Sequence, residues 1–155
     1  VTLTAHGTQR PAAAPPPAAA AEKATASRRT SGSSPRSVPS GSPGNLRPLF
    51  DALRQVESAG NDMAVGDDGR SLGPYQIGLA YWLDGGGDPG RYRLDVWRAA
   101  ACEAVMLTYW RRYCPAALAR GDWETLARVH NGGPRGPLKA ATLPYWRKVR
   151  MEIEQ

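Results

Sequence analysis

Arg47-Pro48-Leu49-Phe50-Asp51-Ala52-Leu53-Arg54-Gln55-Val56-Glu57-Ser58-Ala59-Gly60 is the stretch that decides the reading of this chain. Leu49, Phe50, Leu53 and Val56 recur at helical spacing. Pro48 suits a first turn and Gly60 is a natural stop, so the spacing predicts an amphipathic helix over 47–60. Glu57 follows Leu53 by four residues and so lies only about 40° round the helix from a core position. A carboxyl turned toward an apolar face, with no obvious cationic partner, is expected to keep its proton to higher pH, because desolvation disfavours the charged form. A carboxylic acid still protonated near neutral pH is what cleavage of a glycosidic bond requires. Taken alone, a Glu at a helix end more often snorkels to water. Its neighbours along the chain change that weighting.

Upstream of the helix the composition changes. Residues 1–46 are dominated by Ala, Pro, Ser, Thr, Arg and Gly and contain no Phe, Trp or Tyr. Such a segment cannot bury enough apolar surface to offset its ordering entropy, so a disordered tail is expected over 1–46 and one folded domain over 47–155. The folded part is large enough for a single core without staples. Of the formal net charge of +6, most comes from Arg10, Lys23, Arg28, Arg29 and Arg36 against Glu22. The tail is therefore basic and the domain nearly balanced. The tail charges are spread out and lack interleaved aromatics, so a solvated linker is favoured over an anionic partner, and no specific nucleic-acid partner is expected. No apolar run reaches the length of a membrane span. No leader is legible in a chain that opens on Val1, which says little about export.

Two cysteines, Cys102 and Cys114, would stand about 18 Å apart on one straight helix, too far for a disulfide. Pro115 follows Cys114 and predicts a helix end there, so free thiols are the expectation. His6 and His130 are the only histidines, and no Cys/His set has metal-ligand spacing. Neither a metal nor a cofactor is expected.

Downstream, residues 61–75 are rich in Asn, Asp and Gly, which predicts turns and a small irregular hairpin. Short and long helices are predicted over 76–83 and 94–112, separated by the Gly85-Gly86-Gly87 loop. Asp122 is placed to cap a helix over 123–130 that Asn131-Gly132-Gly133 closes. Thr142 and Pro144 open a last helix with Trp146, Val149 and Ile153 on its buried face. The fold class is mainly α, with a small β element after the first helix.

Three clusters now stand together. The first is Glu57-Ser58-Ala59-Gly60. The second is Gly66-Asp67-Asp68-Gly69-Arg70-Ser71-Leu72-Gly73-Pro74-Tyr75-Gln76-Ile77, followed by Ala80-Tyr81-Trp82. The third is His130-Asn131-Gly132-Gly133-Pro134-Arg135-Gly136, followed by Tyr145-Trp146. Their order and wording resemble the invertebrate-type lysozymes, the destabilase family, within the lysozyme-like superfamily. The stretch at 130–136 is the most specific; Glu-Ser-x-Gly with a later Gly-x-x-Gln is shared more widely. The chain departs from the cysteine-rich animal members in keeping two Cys.

The resemblance implies a lysozyme-like α+β fold and a muramidase acting on peptidoglycan glycan strands. It implies Glu57 as general acid and a second carboxylate at Asp67 or Asp68, with Asp67 preferred because Gly69 completes an Asp-x-Gly pattern. Tyr75, Gln76, Tyr81 and Trp82 become candidates for a saccharide groove, since aromatic faces stack on sugar rings and amides bond hydroxyls and N-acetyl groups. Core packing is an equal alternative for Trp82. His130 and Asn131 are candidate substrate contacts; Arg135 is weighted toward a structural role. Gly78 stands where the family's Ser–Lys dyad would need its Lys, so isopeptidase activity through Ser71 is not expected. Two other readings stay open: a lytic transglycosylase using Glu57 alone, and a non-catalytic peptidoglycan-binding module. A monomer, secreted or held in the cell envelope, is expected.

Overall fold

The first helix, α1, runs Arg47–Ser58 and buries Leu49, Phe50, Ala52 and Leu53. Pro48 sits in its first turn, and Ala59 ends it in the left-handed region at φ 51°, its N–H returning to Gln55 O at 2.9 Å. Arg54 then ties down the exit, donating to Gly60 O at 2.9 Å and to Asp62 Oδ1 at 2.8 Å. The computed structural model describes residues 44–155. The tail expected over 1–46 thus falls largely outside the described residues. Within them, Leu46 already packs against the core, and its carbonyl accepts from Phe50 N at 2.9 Å.

A two-stranded antiparallel sheet follows. β1 (Val65–Gly66) pairs with β2 (Ser71–Leu72) in the register Val65↔Leu72 and Gly66↔Ser71, around a 3₁₀ turn at Asp67–Gly69. This is the expected small hairpin. Helices α2 (Leu79–Asp84), α3 (Tyr92–Asp95), α4 (Ala99–Tyr113), α5 (Pro115–Arg120), α6 (Trp123–Gly132) and α7 (Leu143–Ile153) complete the domain. Asp122 caps α6, accepting from Thr125 N at 3.0 Å. The core is built from α1, α4, α6 and α7: Phe50 stacks on Trp110 with ring centroids 5.6 Å apart, and Trp110 Nε1 donates to Leu126 O at 3.1 Å.

Two helix predictions are corrected. The short helix starts at Leu79 rather than residue 76, because Leu72 and Ile77 bridge each other and hold the intervening residues as a tight turn. Gln76 sits there at φ 48°. The long helix is two, broken at 96–98. Val96 is fully buried, and its carbonyl accepts from Cys102 Sγ at 3.1 Å, while Arg98 is extended. Gly73 presses against that carbonyl so closely that a Cβ on Gly73 would fall on it. Nothing local in 94–98 signals this break; the packing of the preceding loop imposes it. Cys102 and Cys114 are free thiols. Among the described residues no helix is long and apolar enough to cross a membrane.

Candidate active site

Glu57 occupies the last turn of α1, its side chain 17% exposed. Tyr145, on α7, donates its hydroxyl to Glu57 Oε1 over 2.7 Å. His130, on α6, places Nε2 3.5 Å from the same oxygen. No Lys or Arg pairs with Glu57 among the described residues, but a neutral hydroxyl and a histidine ring do meet it. Both partners arrive on helices that only tertiary packing brings to α1, so helical spacing around Glu57 could not reveal them. Oε2 has no hydrogen-bond partner among the described residues.

The surrounding groups are fixed in turn. His130 Nδ1 lies 3.3 Å from the Tyr81 hydroxyl, and the two rings meet edge to face at 5.4 Å. Tyr81 also stacks on Tyr109 with centroids 4.0 Å apart. Burial pushes the phenols of Tyr81 and Tyr145 well above the ordinary tyrosine range, and for Tyr145 the negative charge of Glu57 adds to the effect. Tyr145 therefore remains a neutral donor at any working pH.

Asp67 reaches the site from the hairpin. Its backbone is left-handed, at φ 50°, as is that of Asp68 at φ 56°. Asp tolerates this region better than most residues because its short side chain bonds locally. Ser71 Oγ donates to Asp67 Oδ2 at 2.6 Å, and Arg70 Nε donates to the Asp67 carbonyl at 2.9 Å. Gln76 is held by its amide N–H₂, which donates to Gly73 O at 2.9 Å and Ala64 O at 3.2 Å. Gly66 makes room for it: a Cβ there would fall on Gln76 Oε1.

Glu57, Asp67, Ser71, Gln76, Ile77, Tyr81, His130 and Asn131 together line one cavity of about 160 Å³. Six of the eight residues singled out from sequence meet here. Tyr75 and Trp82 do not: the groove role read for Tyr75 is corrected, and of the two roles left open for Trp82 the core one holds. Tyr75 is fully buried and donates its hydroxyl to Glu103 Oε1 at 2.6 Å. Trp82 is 3% exposed, its Nε1 donating to Asp88 O at 2.9 Å and its ring packed against Tyr92. Each has its polar tip satisfied inside the protein, which leaves nothing for a ligand. Asp68 is exposed and does not line the cavity.

The loop after His130 owes its shape to Arg128, a residue that sequence reasoning passed over. Its guanidinium donates to Glu124 Oε1, Pro137 O, Lys139 O and Thr142 Oγ1 at 2.8 to 3.2 Å. Gly136 packs so close that a Cβ would fall on Arg128 O. Arg135, expected to be structural, is exposed and makes no side-chain hydrogen bond or ion pair among the described residues. Tyr145 was also passed over as a site residue. The available signal is its place next to Trp146: Trp146 faces the core, so Tyr145 is turned to the neighbouring face of α7.

No protein-family model matches the chain. Invertebrate-type lysozyme 6 of Caenorhabditis elegans is 38% identical over 108 residues, spanning 61% of this chain and 77% of the relative. The chain belongs to the invertebrate-type lysozyme family. Lysozyme 1 of Crassostrea virginica is 35% identical over 82 residues, and the chain spans 45% of that relative's length. Among solved structures, Meretrix lusoria lysozyme in complex with PliI of Aeromonas hydrophila is 28% identical, with a TM-score of 0.56 over 66% of this chain and 86% of that one. Tapes japonica lysozyme gives the same TM-score and coverage at 26% identity. The helical architecture with its two-stranded hairpin is thus the invertebrate-type lysozyme fold, and the family resemblance carried by residues 57–60, 66–82 and 130–136 holds.

Proposed function

We propose that this chain is a muramidase, hydrolysing the β-1,4 bond between N-acetylmuramic acid and N-acetylglucosamine in peptidoglycan. The observation that carries the reading is the meeting of two carboxyl groups, Glu57 and Asp67, in one small polar cavity. The names of the relatives support it: they are lysozymes.

Glu57 acts as general acid. When it is protonated, its carbonyl oxygen is Oε1, the atom that accepts from Tyr145. The proton then sits on Oε2, the oxygen left free for the glycosidic oxygen of the substrate. As the sugar–oxygen bond breaks, positive charge develops at the anomeric carbon. Asp67 stabilises that charge or attacks the carbon to form a glycosyl ester, and water then completes hydrolysis with Glu57 as base. Gln76 and Asn131 contribute amide groups suited to sugar hydroxyls and N-acetyl groups. Because the substrate lies outside the cytoplasmic membrane, the protein acts in the cell envelope or beyond it.

The test is Glu57→Gln, assayed by clearing of purified peptidoglycan with mass spectrometry of the products. The variant keeps its fold and loses clearing; retained clearing overturns the assignment. The parent protein should release reducing muramic acid ends. Ends in the 1,6-anhydro form would instead make it a transglycosylase.

A further inference from the structure

A second groove borders the catalytic cavity. It has a volume of about 560 Å³ and is lined by Leu79, Ala80, Pro89 and Tyr92 together with Arg70 and Arg93. The two hollows share a wall. Ser71 and Ile77 line the catalytic cavity, whereas their chain neighbours Arg70 and Gly78 line the groove. Within the groove the two chain segments pack closely: a Cβ on Gly78 would lie 3.2 Å from Arg70 O.

The groove combines uncovered apolar surface with unneutralised positive charge. Leu79 is 46% exposed within it. Among the described residues neither arginine is paired with a carboxylate, whereas Arg47, Arg54, Arg91 and Arg128 all are. Arg70 uses only its Nε, on the Asp67 carbonyl, which leaves the rest of its guanidinium free. Asp88, beside Pro89, turns its carboxylate into its own loop by accepting from Gly90 N at 2.7 Å.

We infer that this groove binds the acidic stem peptide that the muramic acid of peptidoglycan carries. The inference rests on the muramidase reading and deepens it. A glycan strand lying in the Glu57–Asp67 cavity carries peptides branching from alternate sugars. Such a peptide offers free carboxylates for Arg70 and Arg93 and alanyl methyl groups for the apolar lining. A further sugar ring can offer its N-acetyl methyl group to the apolar lining but no carboxylate where the lactyl group is amide-bonded to the peptide, so the two unpaired arginines favour the peptide.

Arg93→Gln provides the test, because Arg93 touches neither Glu57 nor Asp67 and its loss leaves the fold intact. On peptide-bearing glycan strands its KM should rise about fivefold, the effect of one partly exposed charge pair. On strands stripped of stem peptides by an amidase, with the lactyl carboxylates so exposed converted to amides, KM and kcat should match the parent. Equal weakening on both substrates, or no change on either, overturns the inference. An NMR titration of the full chain with the soluble tetrapeptide L-Ala-γ-D-Glu-L-Lys-D-Ala needs no turnover. Shifts should appear at Gly78, Leu79 and Arg93, and those at Gly78 and Leu79 should need about fivefold more peptide in Arg93→Gln; no shift at millimolar peptide also overturns it. If neither substrate is cleaved, the muramidase reading falls while the titration still decides the groove.

Discussion

Tyr145 and Glu57 stand 88 residues apart in the chain and share a 2.7 Å hydrogen bond in which the phenol donates to Oε1. One contact thereby joins the C-terminal helix to the carboxyl on which the proposed chemistry depends. It also distinguishes the two carboxyl oxygens, engaging one and leaving the other free. Tyr145 does not line the cavity, so it acts on the reaction through Glu57 rather than by touching sugar.

Tyr145→Phe should therefore lower kcat about tenfold while leaving KM nearly unchanged, the loss expected for one well-formed hydrogen bond to a reacting group. The ring still packs, so denaturant midpoints should fall only slightly. Steady-state kinetics on peptidoglycan fragments give the split. A raised KM with unchanged kcat would show that Tyr145 binds substrate instead.

Asp67 and Asp68 are adjacent and both left-handed, yet only Asp67 lines the cavity and accepts from Ser71. Asp67→Asn should cost at least about a hundredfold in kcat, because charge stabilisation at a developing oxocarbenium centre is lost. Asp68→Asn should stay within about twofold, as an exposed carboxylate away from the reacting atoms. Equal effects from the two substitutions would remove Asp67 from the mechanism.

Much of this was legible in the sequence. Pro48, Asp122 and Pro144 mark the starts of α1, α6 and α7, and periodicity gives much of the buried face of α1 and α7, because these signals are local. Glu57, Asp67, Gln76, His130 and Asn131 could be named from short motifs for the same reason. The break at 96–98 was invisible, since it follows from Gly73 packing against the Val96 carbonyl. Tyr75 was misplaced, and Trp82 was left between core and groove, because an apolar ring with a polar tip suits a buried socket as well as a sugar groove. Their partners, Glu103 and the Asp88 carbonyl, are known only from the fold.

The two arginines near the 130–136 motif invite a direct comparison. Arg128→Ala should destabilise the domain by about 1–3 kcal/mol, because it strands part-buried acceptors on Glu124, Pro137 and Thr142 at once and loses the more exposed bond to Lys139 O. Arg135→Ala should change stability by less than about 0.5 kcal/mol, as for an exposed side chain without partners. Urea denaturation of both variants provides the check. The reverse order would mean that Arg135 organises the loop.

Alkaline conditions should unfold the domain earlier than its neutral-pH stability suggests. Burial pushes the Cys102 thiol from its ordinary 9.0 up to about 12, the Cys114 thiol up to about 11 and the Tyr109 phenol from 10.0 up to about 12. Tyr81 and Tyr145 are also raised well above the ordinary tyrosine range, chiefly by burial. Each group is neutral when protonated, and each has a folded-state pKa above its unfolded value. Above pH 9.0 the unfolded chain releases protons that the folded chain retains, so the unfolded state binds fewer and stability falls as pH rises. Stability contributed by these groups is complete below pH 9.0 and is lost as pH climbs through about 11 to about 12. Urea midpoints measured between about pH 8 and about pH 11 should decline steadily, with the slope steepening once tyrosines ionise in the unfolded chain. Cys102→Ala separates the contributions. It lowers stability at pH 8 through lost packing and the lost contact to Val96 O, at a cost of about 1–2 kcal/mol, yet it flattens the decline above pH 9. A parent midpoint that holds level to pH 11 would show that these groups are solvated in the folded protein.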